Sequence, residues 1–121
     1  TRIPSSAASD VYKRQFLDYD ILLSPVLAKP PVEIGNIDLN TTDFVDYAEK
    51  LSTYTPFTGI FNQSGHPSIS IPLYRTPKNL PVGTMLTASF GNESLLFGLA
   101  RQLEVAEPWE AAIKEMRTQI G

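Results

Sequence analysis

"SISIPLYRTPKNLPVGTMLTASF", residues 68–90, is the stretch whose reading decides the fold. Its first seven residues alternate polar and apolar, with Ser68 and Ser70 against Ile69 and Ile71, which is the period of a half-buried strand and not of a helix. Residues 81–90, PVGTMLTASF, are rich in β-formers. The connector RTPKNLP is longer than a two-residue turn, and Asn79 is its residue best suited to a positive φ. The two runs together predict an antiparallel hairpin. Its alternation sets Ser68 and Ser70 on one face, to lie under a covering helix or to line a polar pocket.

Working outward, residues 21–27, ILLSPVL, form a short apolar run stopped by "KPP", which suits a strand buried on both faces. From Thr42, DFVDYAEKLSTY puts Phe44, Val45, Ala48 and Leu51 on one side at helical spacing. Thr41 or Thr42 is the expected cap, and Tyr54 the expected end. Thr55 and Pro56 read as a fresh N-cap followed by proline at the first helical position, with Phe57, Ile60 and Phe61 as the buried face and Gly65 as the stop. Beyond the hairpin, Gly91 breaks the strand. Asn92 caps a helix bearing Leu95, Leu96, Leu99, Ala100, Leu103 and Ala106, ended by Pro108. A last helix over WEAAIKEMRTQI is expected to bury Trp109, Ala112, Ile113 and Met116, with Trp109 as a core anchor. This order gives an α/β chain whose three strands make a small sheet with unprotected edges, so part of the sheet is missing.

Composition narrows the function. The 121 residues are 42% hydrophobic and 19% charged, which suffices for one modest core. Net charge is −3, and the ten Lys and Arg are scattered singly, so no basic stripe is available for nucleic acid. With no cysteine and one histidine, thiolate and multi-histidine metal sites are excluded, and no cofactor is implied. No apolar run approaches the roughly 18 residues of a membrane span, and residues 1–20 lack the apolar core of a signal peptide. The expectation is a cytoplasmic chain with no membrane partner.

Few residues invite chemistry. In "NQSGHP", Ser64 and His66 with Asp20 suggest a hydrolytic triad, but residues two apart in a turn seldom point at one another, so His66 is expected to pack or to face solvent. Asn62, Gly65 and Pro67 are expected to serve the backbone at a helix stop. Glu33, Asp38, Asp43, Asp46 and Glu49 are spread as a solvated face rather than paired for catalysis or calcium. Asn40, Asn62 and Asn92 each begin a glycosylation triplet, read as coincidence without a secretion signal.

Four blocks, "YDILLSPVLAKPPVEIG", "YTPFTGIFNQSGHPSISIPL", "LPVGTMLTASFGNESLLFGLARQLE" and "EPW", resemble in order and spacing the C-terminal part of the amidase signature family, over most of residues 16–110. The resemblance implies a single α/β/α domain around a mixed sheet, of which this chain is an incomplete part. It also implies hydrolysis of amide bonds, linear or cyclic, by a Ser, a cis-Ser and a Lys that lie upstream of the matched region in family members. The lysine strand and the Gly/Ser-rich signature are absent here, so no catalytic residue is assigned and the chain alone is expected to be inactive. Thr55, Pro56, Phe57 and Asn62 are implied to stand beside a small amide substrate, in one wall of the acyl pocket. Thr55 lacks the acidic charge with which some relatives hold a substrate amine. Asn79 stands where many relatives have Gly, and Asn92 where many have Asp. Among subgroups the blocks are most similar to amidases of the 6-aminohexanoate cyclic dimer hydrolase type.

No block covers residues 1–15. SSAASDVYKRQ, residues 5–15, resembles codon by codon the translation of a transposase sequencing adaptor, with Thr1 to Pro4 as its constant end and index. The expectation is an adaptor-derived segment 1–15, with native protein from Phe16 to residue 121 as a C-terminal fragment of one amidase domain. Two alternatives remain open: a self-contained α/β ligand-binding module without catalysis, whose loop Asn62 to Pro67 recognises a ligand, and an amidotransferase A-type subunit. A Gly/Ser-rich signature and a lysine strand in upstream sequence favour the enzyme, whereas a native start near Phe16 favours the module.

Overall fold

A computed structural model describes residues 5–120; Thr1 to Pro4, read as adaptor-derived, lie outside them. The elements are α1 (Ser5–Asp18), β1 (Ile21–Pro25), α2 (Phe44–Tyr54), α3 (Gly59–Ser64), β2 (Ser68–Arg75), β3 (Pro81–Ala88), α4 (Glu93–Ala106) and α5 (Glu110–Ile120). α1 runs without a break across the expected boundary at Phe16.

The hairpin forms as the alternation predicts. β2 pairs antiparallel with β3, Ser68 opposite Thr87 and Ile71 opposite Thr84. β1 pairs antiparallel with the other side of β3, Ile21 opposite Ala88, so the sheet order is β1-β3-β2. A bulge falls between Ile71 and Tyr74, where Pro72 has no N–H to give the ladder, and β2 is an outer strand of this sheet, where proline is tolerated. In the connector, Asn79 adopts φ 62°, and the Arg75 guanidinium donates to its carbonyl at 3.2 Å and its side-chain oxygen at 3.0 Å.

Cross-strand partners share a face, which sorts the sheet's two sides. One carries Ile21, Ile69, Ile71, Leu86 and Ala88 and receives α4, whose Leu96 is buried among Ile71, Leu86 and Ala88. Leu99, Ala100, Leu103 and Trp109 pack around this cluster. Burying each large aliphatic side chain here contributes about 1.5–3 kcal/mol. The other side carries Leu22, Ser24, Met85, Thr87, Ser68 and Ser70, with residues 56–61 standing over Leu22 and Ser24. α1 packs against α3 there. Helices on both sides of a sheet match the expected α/β/α arrangement, and every strand pair described is antiparallel.

Local differences have local causes. Asp43, not Thr41 or Thr42, caps α2: its carboxylate accepts the Asp46 N–H at 3.0 Å, and a negative charge suits a helix N-terminus. Thr41 stands one step back, its Oγ1 accepting the Asp43 N–H at 3.2 Å. Thr55 closes α2 instead of opening α3, because its N–H and hydroxyl both donate to the Leu51 carbonyl, at 2.9 and 3.0 Å. α3 therefore starts after a turn, with Thr58 at its N-cap. Asn92 is the N-cap of α4 as expected, but its side chain makes no capping bond. β1 is not buried on both faces, since Leu23 is largely exposed. Nor is the α2 stripe: Phe44 and Val45 are 75% and 74% exposed. Ser68 and Ser70 lie exposed rather than beneath a helix. The side chain of Met116, expected in the core, lies outside the described ones.

Candidate functional site

Between β1 and the turn that leads into α3 lies a cavity of about 450 Å³, lined by Leu22, Ser24, Pro56, Phe57, Ile60 and Phe61. Alternation along β1 directs Leu22 and Ser24 to the same side of the sheet. The cap at Thr55 ends α2, and the following turn lays Pro56 and Phe57 opposite them. Phe61, buried in the first full turn of α3, closes the far end. The walls are mostly apolar, and the Ser24 hydroxyl is buried without a hydrogen-bond partner among the described residues. The volume falls within the roughly 300–1,000 Å³ of small-molecule sites, whose walls are predominantly apolar.

Of the four residues implied by resemblance, Pro56 and Phe57 come together at this cavity. Thr55 and Asn62 do not line it: Thr55 is the half-buried C-cap of α2, and Asn62 is exposed on α3. Ser24 was not singled out from sequence, though a lone hydroxyl within the apolar run ILLSPVL, two residues from Leu22, was the signal available.

Ser64 and His66 correct the sequence reading, because the two side chains do meet. His66 Nδ1 lies 2.8 Å from Ser64 Oγ, and Ser64 Oγ lies 3.5 Å from the Phe61 carbonyl. Gly65 makes this possible: at φ 73° it ends α3 and turns the chain so that residues on either side of it converge. His66 is buried, its imidazole 5.0 Å from the Phe16 ring, as expected of a packing residue. The contact between the Ser64 hydroxyl and His66 Nδ1 steadies the turn. A nucleophilic serine needs the imidazole to accept its proton and a third group to orient the ring. Across the sheet, Ser68 Oγ and Thr87 Oγ1 pair at 2.8 Å, which satisfies the fully buried threonine.

No group of three or more His, Cys, Asp or Glu that could hold a metal occurs among the described residues. No described helix is long and apolar enough to cross a membrane.

A family model described as Amidase matches residues 5–97. The chain belongs to the amidase family. The amidase match starts within the stretch that resembles an adaptor. AmiC of Mycobacterium leprae is 41% identical over 106 residues, 88% of this chain and 21% of that protein. The 6-aminohexanoate-cyclic-dimer hydrolase of Pseudomonas sp. strain NK87 is 36% identical over 98 residues, 77% of this chain and 20% of that protein. A solved structure of 6-aminohexanoate cyclic dimer hydrolase superposes with a TM-score of 0.77 at 32% identity, covering 88% of this chain and 23% of that one. This amidase chain thus spans about a fifth of the length of the curated relatives it matches.

Proposed function

We propose that this chain is the part of an amide hydrolase that walls the acyl pocket, while the groups that break the carbon–nitrogen bond lie elsewhere in the whole enzyme. The mostly apolar cavity between Ser24 and Phe57, on a chain of the amidase family, carries this reading. Such a wall holds the aliphatic part of a small linear or cyclic amide by excluding water from it. In the resemblance noted above, a lysine draws a proton through a cis-serine from a nucleophilic serine. That serine forms an acyl-enzyme, backbone N–H groups steady the oxyanion, and water releases the acid. Pro56 and Phe57 then position the acyl chain. Thr55 and Asn62 support the turn and helix that carry them, and no residue here is the nucleophile.

The test is chromogenic. The purified 121-residue chain should leave a 4-nitroanilide intact, the whole amidase carrying it should release 4-nitroaniline, and Phe57→Ala in that enzyme should raise KM. Cleavage by the 121-residue chain alone, lost when one of its own hydroxyls is removed, would overturn the reading. The enzyme is read as cytoplasmic, in keeping with the lack of any apolar run of membrane length. Residues 1–15 are read as adaptor-derived, which the DNA decides: codons unlike the adaptor sink that reading.

A further inference from the structure

The sheet ends on two unlike edges. β3 lies in the middle and divides its main-chain groups between its neighbours: the Ala88 N–H donates to the Pro67 carbonyl at 3.1 Å, and the Gly83 carbonyl accepts from the Val26 N–H at 3.4 Å. Hydrogen-bonded positions alternate along an antiparallel pair, so Leu22 and Ser24, in step with Val26, turn their N–H and C=O groups toward β3. Ile21 and Leu23 turn theirs the other way, where no strand pairs with them among the described residues. The Leu23 side chain stands opposite Leu86 on the α4 side of the sheet and is 66% exposed, while Leu86 is buried. β1 carries no charge, its register with β3 is unbroken, and its one proline, Pro25, is its last residue. β2 is the blunter edge: a bulge and Pro72 interrupt it, and the amides it turns outward by the same alternation belong to Ser68 and Ser70. A finished sheet guards its edges in the manner of β2, whereas a regular, uncharged, apolar edge is a template for another strand.

We propose that the outer edge of β1, at Ile21 and Leu23, is where this chain joins the rest of the parent amidase, by receiving an extended segment of that enzyme as the next strand of one continuous sheet. The source of that strand is the bulk of such an enzyme, since this chain spans about a fifth of the curated relatives it matches. Its chemistry is set by the edge. It brings main-chain groups to the N–H and C=O of Leu23, and an apolar side chain on the α4 side to cover the Leu23 side chain, because cross-strand neighbours share a face. The same strand steadies the candidate pocket, for β1 carries Leu22 and Ser24 in the cavity wall. This rests on the part of the proposed function that makes the chain one piece of a larger domain, and it gives no residue a part in bond cleavage.

The experiment is amide hydrogen exchange, read residue by residue, on the whole amidase carrying this chain. The Leu23 N–H should exchange about a hundredfold or more slowly than the Ser70 N–H, which points off the outer edge of β2. Leu23 exchanging at the rate of Ser70, or faster, overturns the proposal. Leu23→Pro removes that one N–H and leaves the ladder to β3 intact, so it should lower the Tm of the whole enzyme by more than Leu23→Ala, which keeps the N–H. Equal Tm values for the two variants overturn the proposal, and if Leu23→Pro does not fold, exchange in the unaltered enzyme decides. Protection of Leu23 that appears only as the enzyme is concentrated into a dimer assigns the edge to a second copy and overturns it as well. An enzyme whose Leu23 is protected at every concentration, yet which cleaves no 4-nitroanilide, overturns the hydrolase reading and leaves the joint at β1 standing.

Discussion

His66 Nδ1 lies 2.8 Å from Ser64 Oγ across the left-handed Gly65, so two residues on either side of a helix stop are brought into contact. The contact ties the end of α3 to the start of β2 and holds the buried imidazole against Phe16. Ser64→Ala should destabilise the fold by about 1–2 kcal/mol, measured by urea unfolding, because it leaves a buried ring nitrogen without its oxygen. Amide turnover by the whole enzyme should survive the change. A loss of kcat by several orders of magnitude, with folding intact, would make Ser64 a reacting group.

Gly65→Ala should cost about 1 kcal/mol, since at φ 73° a Cβ is disfavoured whatever space surrounds it. Gly65→Asn should cost less, because asparagine tolerates the left-handed region. Parallel urea titrations of the two variants check the order.

Gly83 is constrained by neighbours instead of by φ. A Cβ there would come within 2.8 Å of Val26 Cγ2 and 2.9 Å of Ser70 Oγ. Serine can rotate away, but the branched Val26 is stiff at χ1. Gly83→Ala should therefore destabilise by about 1–3 kcal/mol. Adding Val26→Ala should recover part of that loss, and a double-mutant cycle with no coupling would refute the steric account.

The α2 face sets the solution behaviour of the isolated chain. Phe44 and Val45, 75% and 74% exposed, leave apolar surface that water does not favour. The 13.4 kDa chain should elute from a sizing column as species larger than a monomer, and Phe44→Ser with Val45→Ser should shift it toward the monomer position. Monomeric elution of the parent chain at high concentration would show that this face does not drive association.

The parts of the fold governed by near neighbours were legible in the sequence. Strict alternation gave β2, the Gly65 and Asn79 positions were readable from their tolerance of positive φ, and the wide apolar stripe of α4 found its sheet. Competition between adjacent groups was harder to read. Thr55 looks like an N-cap until one sees that the Leu51 carbonyl already takes both of its donors. Thr41 looks like a cap until Asp43 reaches the same helix end with a charge. At the site, the resemblance pointed to Thr55, Pro56, Phe57 and Asn62, of which Pro56 and Phe57 line the cavity. Ser24, 32 residues before Pro56, joins them only through the pairing of β1 with β3, a long-range contact that periodicity does not carry.

The order β1-β3-β2 places the strand made last in the middle. During synthesis, then, β1 emerges before its β3 partner and waits for on the order of 60 further residues, several seconds at ordinary ribosomal speed, before β3 arrives to pair with it. Through that interval the β3-facing edge of β1 stays unpaired. A chaperone that binds short hydrophobic peptides would find its target at Ile21–Pro25 rather than in the hairpin, whose two strands follow one another and close at once.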